Sequence, residues 1–441
     1  MDEVSVIQTL QGVRLRVIGE AGRGFHGEEV EPDVWVCPLD ADNAVAVRRL
    51  LPWTAPVPAG LRQSIGLSDR LGLAVPGLLR VARQCGLFPV LAQQSIQEMG
   101  ETGRTPQEVI DAATWEVLAA GDRDGYGADV DGLQTTAMID LCVEAGFTSF
   151  TLEPQSCFLN LAALTDPEAT LDEKFAALPW EQLAFSPERL LATYRDVAPA
   201  GLAGEEAVKR IACAYGPAIV ELTRLAGHLG RRLEGRLYDL EINPGGGSSL
   251  LSPLAHRFIA AELLRRGVRF TSLVLHGAKP SVQAQDAVSD LEMLCAAHVG
   301  IARELGPYKL TVRAGPEGCR VYPILARYAG SCTYLKITGV DWLVALRVIA
   351  AHEPALLRAM LAHALQRYAR DGAVRINQVP VDLPDDRLPE MLDQADTRQI
   401  LLVMFGELLR RFRAPILAAL HRNRAAYAKV LEAAVMDCIG A

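Results

Sequence analysis

From residue 64 onward, short apolar or β-branched runs alternate with longer helical patterns, and the alternation repeats eight times. The strand candidates are "SIGLSD" (64–69), "FPVLAQQ" (88–94), "YGADVD" (126–131), "SFTLEP" (149–154), "YDLEIN" (238–243), "FTSLVLH" (270–276), "KLTVRAG" (309–315) and "TYLKITG" (333–339). Each is followed by a helical segment. "TPQEVIDAATWEVLAAG" opens with Thr105 as N-cap and Pro106 in the first turn, and "SPLAHRFIAAELLRRG" opens with Ser252 and Pro253 and closes on Gly267. Strands that are mostly apolar and turn polar at their C-terminal ends belong to a parallel sheet covered on both faces. Eight such units predict an α/β chain closed into a (β/α)8 TIM barrel. The alternative, an open doubly wound sheet, lacks the G-x-G-x-x-G fingerprint after its first strand.

Three additions surround the predicted barrel at 64–352. Residues 1–63 carry the alternating runs "VSVIQTL" and "VRLRVIG" before "LPWTAPVPAG", a small β-containing segment that ends in a linker. An insertion at 160–205 follows the fourth strand, and loops of that length on the C-terminal face often act as lids or recognition elements. From 353 to 441 the pattern is helical, suited to capping the barrel or to building a homo-oligomer interface.

A net charge of -9 and the absence of a Lys/Arg block predict no nucleic-acid partner and no anionic-membrane partner. No run reaches the length of a membrane span, and Met1 is followed by Asp2 and Glu3 rather than a basic and apolar leader, so a cytoplasmic protein is expected. The nine cysteines include no C-x-x-C pair and read as buried reduced thiols; Cys157, Cys319 and Cys332 lie near strand ends, where ligands and nucleophiles are found.

In this fold the active site lies at the C-terminal ends of the strands. The side chains delivered there are Asp69, Arg70, Gln93, Gln94, Asp129, Asp131, Glu153, Glu241, His276, Arg313, Glu317 and Lys336. Arg and Lys pair a carboxylate and the others bond hydroxyls, so the inventory suits a small-molecule sugar acid. Taken singly, each residue serves equally well as a helix cap or loop anchor; only their convergence on one rim argues for a site. "NPGGGSS" (243–249) reads as a turn rather than an anion nest, "HGAKP" offers His276 and Lys279, and His256 reads as a packed helical residue. Candidate metal ligands are Asp129, Glu153, Cys157, Glu241 and His276, without any local histidine pair.

"GLSDRLGLAVPG", "PVLAQQSIQEM", "TGRTPQEVIDAATWEV", "GYGADVDGLQTT", "GFTSFTLEP", "ELGPYKLTV" and "YLKITGVDWLVALR" together resemble the metal-dependent tagaturonate/fructuronate epimerases, which interconvert hexuronates at C4. The likeness runs from about residue 64 to the C-terminal "AAYAKVLE". What it implies for the chemistry meets several departures. A Glu-His pair, proton acceptor and metal ligand, is expected where Ser156 and Cys157 stand. Two further histidine ligands are expected at Arg313 and Tyr334, an acidic proton-donor loop at Gly245, Gly246 and Gly247, and a histidine and a lysine at Gly132 and Gln134. Asp69, Arg70, Gln93, Gln94, Arg104, Asp129, Glu241 and Lys336 match.

The resemblance therefore implies a divergent barrel with its metal ligands lost, Cys157 being the one candidate left at a ligand position, and no cofactor is expected. Substrate contacts are expected from Asp69, Arg70, Gln93, Gln94, Arg104, Asp129, Arg313 and Tyr334, Arg313 bringing a fixed positive charge. The favoured reading is a sugar-acid binder with lost or altered epimerase activity. The alternative is an active isomerase or lyase with a rearranged site, using Glu153, Glu241 or His276 as acid and base. Lys336 is a further catalytic candidate, as a Schiff-base former.

Overall fold

A computed structural model describes residues 2–10, 12–157, 170–197, 202–245, 251–275, 285–315, 321–370, 379 and 383–440. Four strands come first: β1 (Glu3–Thr9), β2 (Gly12–Ile18), β3 (Glu28–Glu31) and β4 (Val34–Cys37), paired in the order β1-β2-β4-β3. The eight that follow are β5 (Ser64–Ser68), β6 (Phe88–Ser95), β7 (Gly127–Leu133), β8 (Ser149–Leu152), β9 (Asp239–Ile242), β10 (Ser272–Val274), β11 (Lys309–Ala314) and β12 (Thr333–Ile337). They form a closed barrel in the order β10-β11-β12-β5-β6-β7-β8-β9. The pairings β7-β8, β8-β9, β9-β10 and β10-β11 are parallel, as helical crossovers require. The TIM barrel predicted from the β/α alternation is the fold observed.

The chain divides into two compact units. The first comprises Met1–Val57, Ile65–Ala128 and Ile337–Ala441. In its antiparallel sheet Val4 lies opposite Val17 and Val6 opposite Leu15, so one face is apolar and packs with Cys37, Val47 and Leu118. Gly22 is required there, because any Cβ would meet the Trp35 ring at 2.0 Å. The helix Pro106–Ala120 starts at the predicted cap: Thr105 and Glu108 form a reciprocal capping box and Gly121 ends it with φ 64°. The helix Val340–His352 buries Trp342, whose indole N–H donates to Leu401 O at 3.0 Å and whose ring meets Phe405 edge-on.

The second unit comprises Pro58–Ser64 and Asp129–Lys336. Strand parity decides its chemistry. Asp129 and Asp131, Thr151, Glu241, Ser272, Thr311 and Arg313, and Tyr334 and Lys336 meet on one face. Their alternates, such as Val130, Phe150, Leu240, Leu310, Val312 and Leu335, are buried apolar. Barrel interiors of this class are ordinarily filled by Val, Ile and Leu, so a charged interior is a departure that calls for a reason. In the insertion, the described residues 170–197 form the helices Leu171–Ala176, Trp180–Leu183 and Pro187–Tyr194. They pack on the helix Leu202–Arg232, and Arg265 stacks over Phe185 at 4.1 Å while donating to Leu183 O. No described helix is long and apolar enough to cross a membrane.

Candidate functional site

Lys336, on β12, is fully buried. Its ammonium lies 2.5 Å from Glu241 Oε1, 2.6 Å from Asp129 Oδ2 and 3.0 Å from Asp131 Oδ1, and donates to Thr151 Oγ1 at 2.9 Å. Burial works against that charge, but the three carboxylates outweigh it and raise the lysine pKa. Lys336 is therefore held as an ammonium, the wrong form for a Schiff-base nucleophile.

Glu241 is held from both sides. Ser272 and Thr311 donate hydroxyls to Oε2 at 2.8 and 2.5 Å, and Thr151 donates to Oε1 at 3.1 Å beside Lys336. Asp129 accepts from Tyr334 OH at 2.9 Å, and burial pushes its carboxyl upward against Lys336. Asp131 comes next along β7, where a bulge between Val130 and Leu133 places Gly132 at φ 74° and re-aims the strand end. Asp131 accepts from Arg313 at 2.5 Å; burial opposes its charge, but Arg313 and Lys336 prevail and hold it at about 2.

Arg313, a quarter exposed, spends one terminal nitrogen on Asp131, and its Nε makes no hydrogen bond among the described residues. Glu153, half-buried just past β8, accepts from Gln155 at 3.2 Å; burial raises its carboxyl, with Arg313 opposing. Ser156 and Cys157 follow in a 3-10 turn, 3.9 Å apart. His276, Lys279, Glu317, Cys319, Gly246 and Gly247 lie outside the described residues.

The other predicted contacts lie in the first unit. Arg70 makes a two-nitrogen pair with Glu98 at 2.6 and 2.9 Å, takes Asp341 Oδ2 on its backbone N–H and stacks on Phe405. Asp69 caps the following turn through Leu73 N, and its carbonyl accepts from Arg104. Gln94 meets Thr102 and Arg104, so its amide points into the helix layer. Asp69, Gln93, Gln94 and Arg104 share a small pocket with Val75, Leu91 and Val109.

The expectation that the metal ligands are lost, with no cofactor to follow, is corrected here. Oxygens of Asp129, Asp131 and Glu241 lie within 4.8 Å of one another, a group able to hold a metal ion. All are hard donors, the kind that suits Mg²⁺ or Mn²⁺ rather than a softer ion. Two cations touch them, Arg313 at Asp131 and Lys336 within 3.0 Å of all three. The expectation failed because it followed histidine positions in a motif, whereas the group able to hold a metal is an acidic triad from β7 and β9. Thr151, Ser272 and Thr311 were missed as well. Strand parity would have found them, since Thr311 is two residues from Arg313, Thr151 two from Glu153 and Ser272 four from His276.

The sequence profile of the tagaturonate epimerase family matches residues 13–439. A tagaturonate/fructuronate epimerase of Thermotoga maritima is 31% identical over 389 residues, 85% of this chain and 79% of that protein. A glycerol-bound crystal structure of the fructuronate-tagaturonate epimerase of Cohnella laeviribosi superposes with a TM-score of 0.87 at 28% identity, covering 100% of this chain and 94% of the other. The native form of the same enzyme gives 0.84 at 26% identity, with the same coverage. These likenesses lend no support to a divergent site.

Proposed function

This chain belongs to the tagaturonate epimerase family, and from that premise we propose that it is an isomerase acting on a hexuronate-like sugar acid. Arg313 receives the substrate's carboxylate and Glu153 moves the proton. The observation that carries this reading is the nearness of the two groups. Arg313 is tied by Asp131 with its Nε left over, and the half-buried Glu153, within electrostatic reach of it, has its carboxyl raised by burial. Asp129, Asp131 and Glu241 would hold the divalent metal that the family resemblance implies, which supplies Lewis-acid polarisation of a substrate oxygen when bound. Tyr334 and Thr151 orient Asp129 and Glu241, while Asp69, Arg70, Gln93, Gln94 and Arg104 support the strand ends.

Calorimetric titration with tagaturonate and fructuronate, with and without Mn²⁺, tests the reading, together with NMR detection of the C4 epimer. Binding is expected, with turnover in the presence of Mn²⁺, and Arg313→Gln should weaken binding by roughly 100-fold, the worth of a charge-assisted pair. No binding of either hexuronate would overturn it. A second reading, binding without turnover, is favoured by the Lys336 ammonium lying against all three triad carboxylates. Tight binding with no epimer in metal-supplemented protein selects it.

A further inference from the structure

Strand parity gives the antiparallel sheet of the first unit a second face. Leu15 and Val17 of β2, Cys37 of β4 and the half-buried Trp35, Val4 and Val6 turn to the core, so their alternates turn away from it. The registers line these alternates up in two rows across the strands. Ser5, Arg16, Val36 and Glu28 form one, and Glu3, Ile18, Val34 and Glu31 form the other. We propose that this face binds the same face of a second copy of the chain, with β4 lying on β4 and β2 of each copy lying on β3 of the other.

The face is apolar at its centre and of opposite sign at its two flanks. The solvent side of an antiparallel sheet is ordinarily polar. Here β4 presents Val34 and Val36, with Ile18 opposite Val34, and none of the three belongs to the core cluster. On one flank β2 carries Arg14 and Arg16; on the other β3 carries Glu28 and Glu31, both exposed. Arg16 and Glu28 share a row but stand two strand spacings apart, ~10 Å, with Val36 between them, which is too far to pair. Arg16, Glu28 and Glu31 make no ion pair among the described residues, and Arg14 bonds only the Val13 carbonyl there.

Two sheets pack face to face ~10 Å apart with their strands within about 30° of each other. A twofold axis running along β4 sets Val36 on its own copy and reverses the strand order, so each Arg16 faces the Glu28 of the other chain. An axis across the strands would set β2 on β2 and β3 on β3, arginine against arginine and glutamate against glutamate. Charge therefore selects the first arrangement. Four short strands make a face smaller than a standard interface, so the dimer is expected to depend on concentration and on salt.

Sedimentation velocity of the full chain tests this between about 1 and about 200 µM in about 0.1 M NaCl, where the wild type should pass from monomer to dimer. Arg14→Glu with Arg16→Glu, and separately Glu28→Arg with Glu31→Arg, should each weaken self-association at least ~10-fold. Mixing the two doubly substituted chains should restore a dimer, because every swapped strand then meets its complement. A wild type that stays monomeric throughout gives the face to some other partner and overturns the proposal. So does a dimer that both swaps leave intact, or a mixture that stays monomeric. Should either variant fail to fold, the wild type decides alone. Raising NaCl from about 0.1 to about 1 M shortens the screening length from about 10 to about 3 Å and should raise the Kd at least ~10-fold, and an unchanged Kd overturns the proposal equally.

Discussion

Glu241 is gripped at both oxygens. Two hydroxyls bond Oε2, and Lys336 with Thr151 bonds Oε1, so the orientation of the side chain is fixed. Removing one hydroxyl while keeping the shape measures that clamp. Thr311→Val should destabilise the chain by about 1–3 kcal/mol in urea unfolding, and Thr311→Ser should restore most of it. Equal losses in the two variants would mean the methyl, not the hydroxyl, matters. Lys336→Met asks more, because it leaves buried Asp129 and Glu241 without their cation and Asp131 with Arg313 alone, a loss of about 3–5 kcal/mol. Mn²⁺ should raise the melting temperature of this variant more than that of the wild type. A variant indifferent to Mn²⁺ would argue against metal at the triad. At this scale the sequence displays the charged members of the cluster, because Asp, Glu and Lys in an apolar strand stand out. The hydroxyls are quiet, since Thr and Ser in strands are ordinary, and only the two-residue spacing of Thr311 from Arg313 and of Thr151 from Glu153 marks two of the three.

The end of β6 shows how an element is fixed from two sides. Ser95 caps the helix Ile96–Thr102 by accepting Glu98 N, and Glu98 returns the bond to Ser95 N while also taking Ser68 Oγ and Arg70. One carboxylate thus serves a helix start, a strand end and an ion pair with both partners nearly buried. Glu98→Gln should retain the cap and lose the charge partner of Arg70; Glu98→Ala should lose both and fall about 1 kcal/mol further, the worth of a cap. Circular dichroism melts that placed the two variants together would remove the cap from the account. Elements of this kind are legible beforehand where local chemistry is decisive. Thr105 with Pro106 and Ser252 with Pro253 mark real helix starts, and each of the eight apolar runs overlaps a barrel strand, because caps and alternation are read within a few residues. The small helices of 170–197 were not anticipated, since each is short and gains its stability from packing on the long helix Leu202–Arg232 rather than from propensity.

For the molecule as a whole, stability between about pH 5 and about pH 7 is pulled in opposite directions by groups in the two units. Asp341 is fully buried and accepts the Arg70 backbone N–H; burial pushes its carboxyl up to about 7, with Arg70 opposing. An aspartate raised in the folded state binds its proton there and not in the unfolded chain, so its contribution is favourable at low pH and is lost as pH rises toward about 7. His298 is the reverse. Neutral when folded down to about 4, it makes the unfolded chain the better proton binder, so its contribution is lost as pH falls below the ordinary histidine range. Asp341→Asn and His298→Gln each abolish one slope. Relative to wild type, Asp341→Asn should gain about 2 kcal/mol as pH rises from about 5 to about 7, and His298→Gln should gain about 2 kcal/mol as pH falls across the same window. Urea unfolding of the three proteins, with each variant read on the transition of the unit that carries the residue, gives both differences at once. Two differences of the same sign would show that one of these groups is solvated in the native state, and the variant whose difference stays flat identifies which.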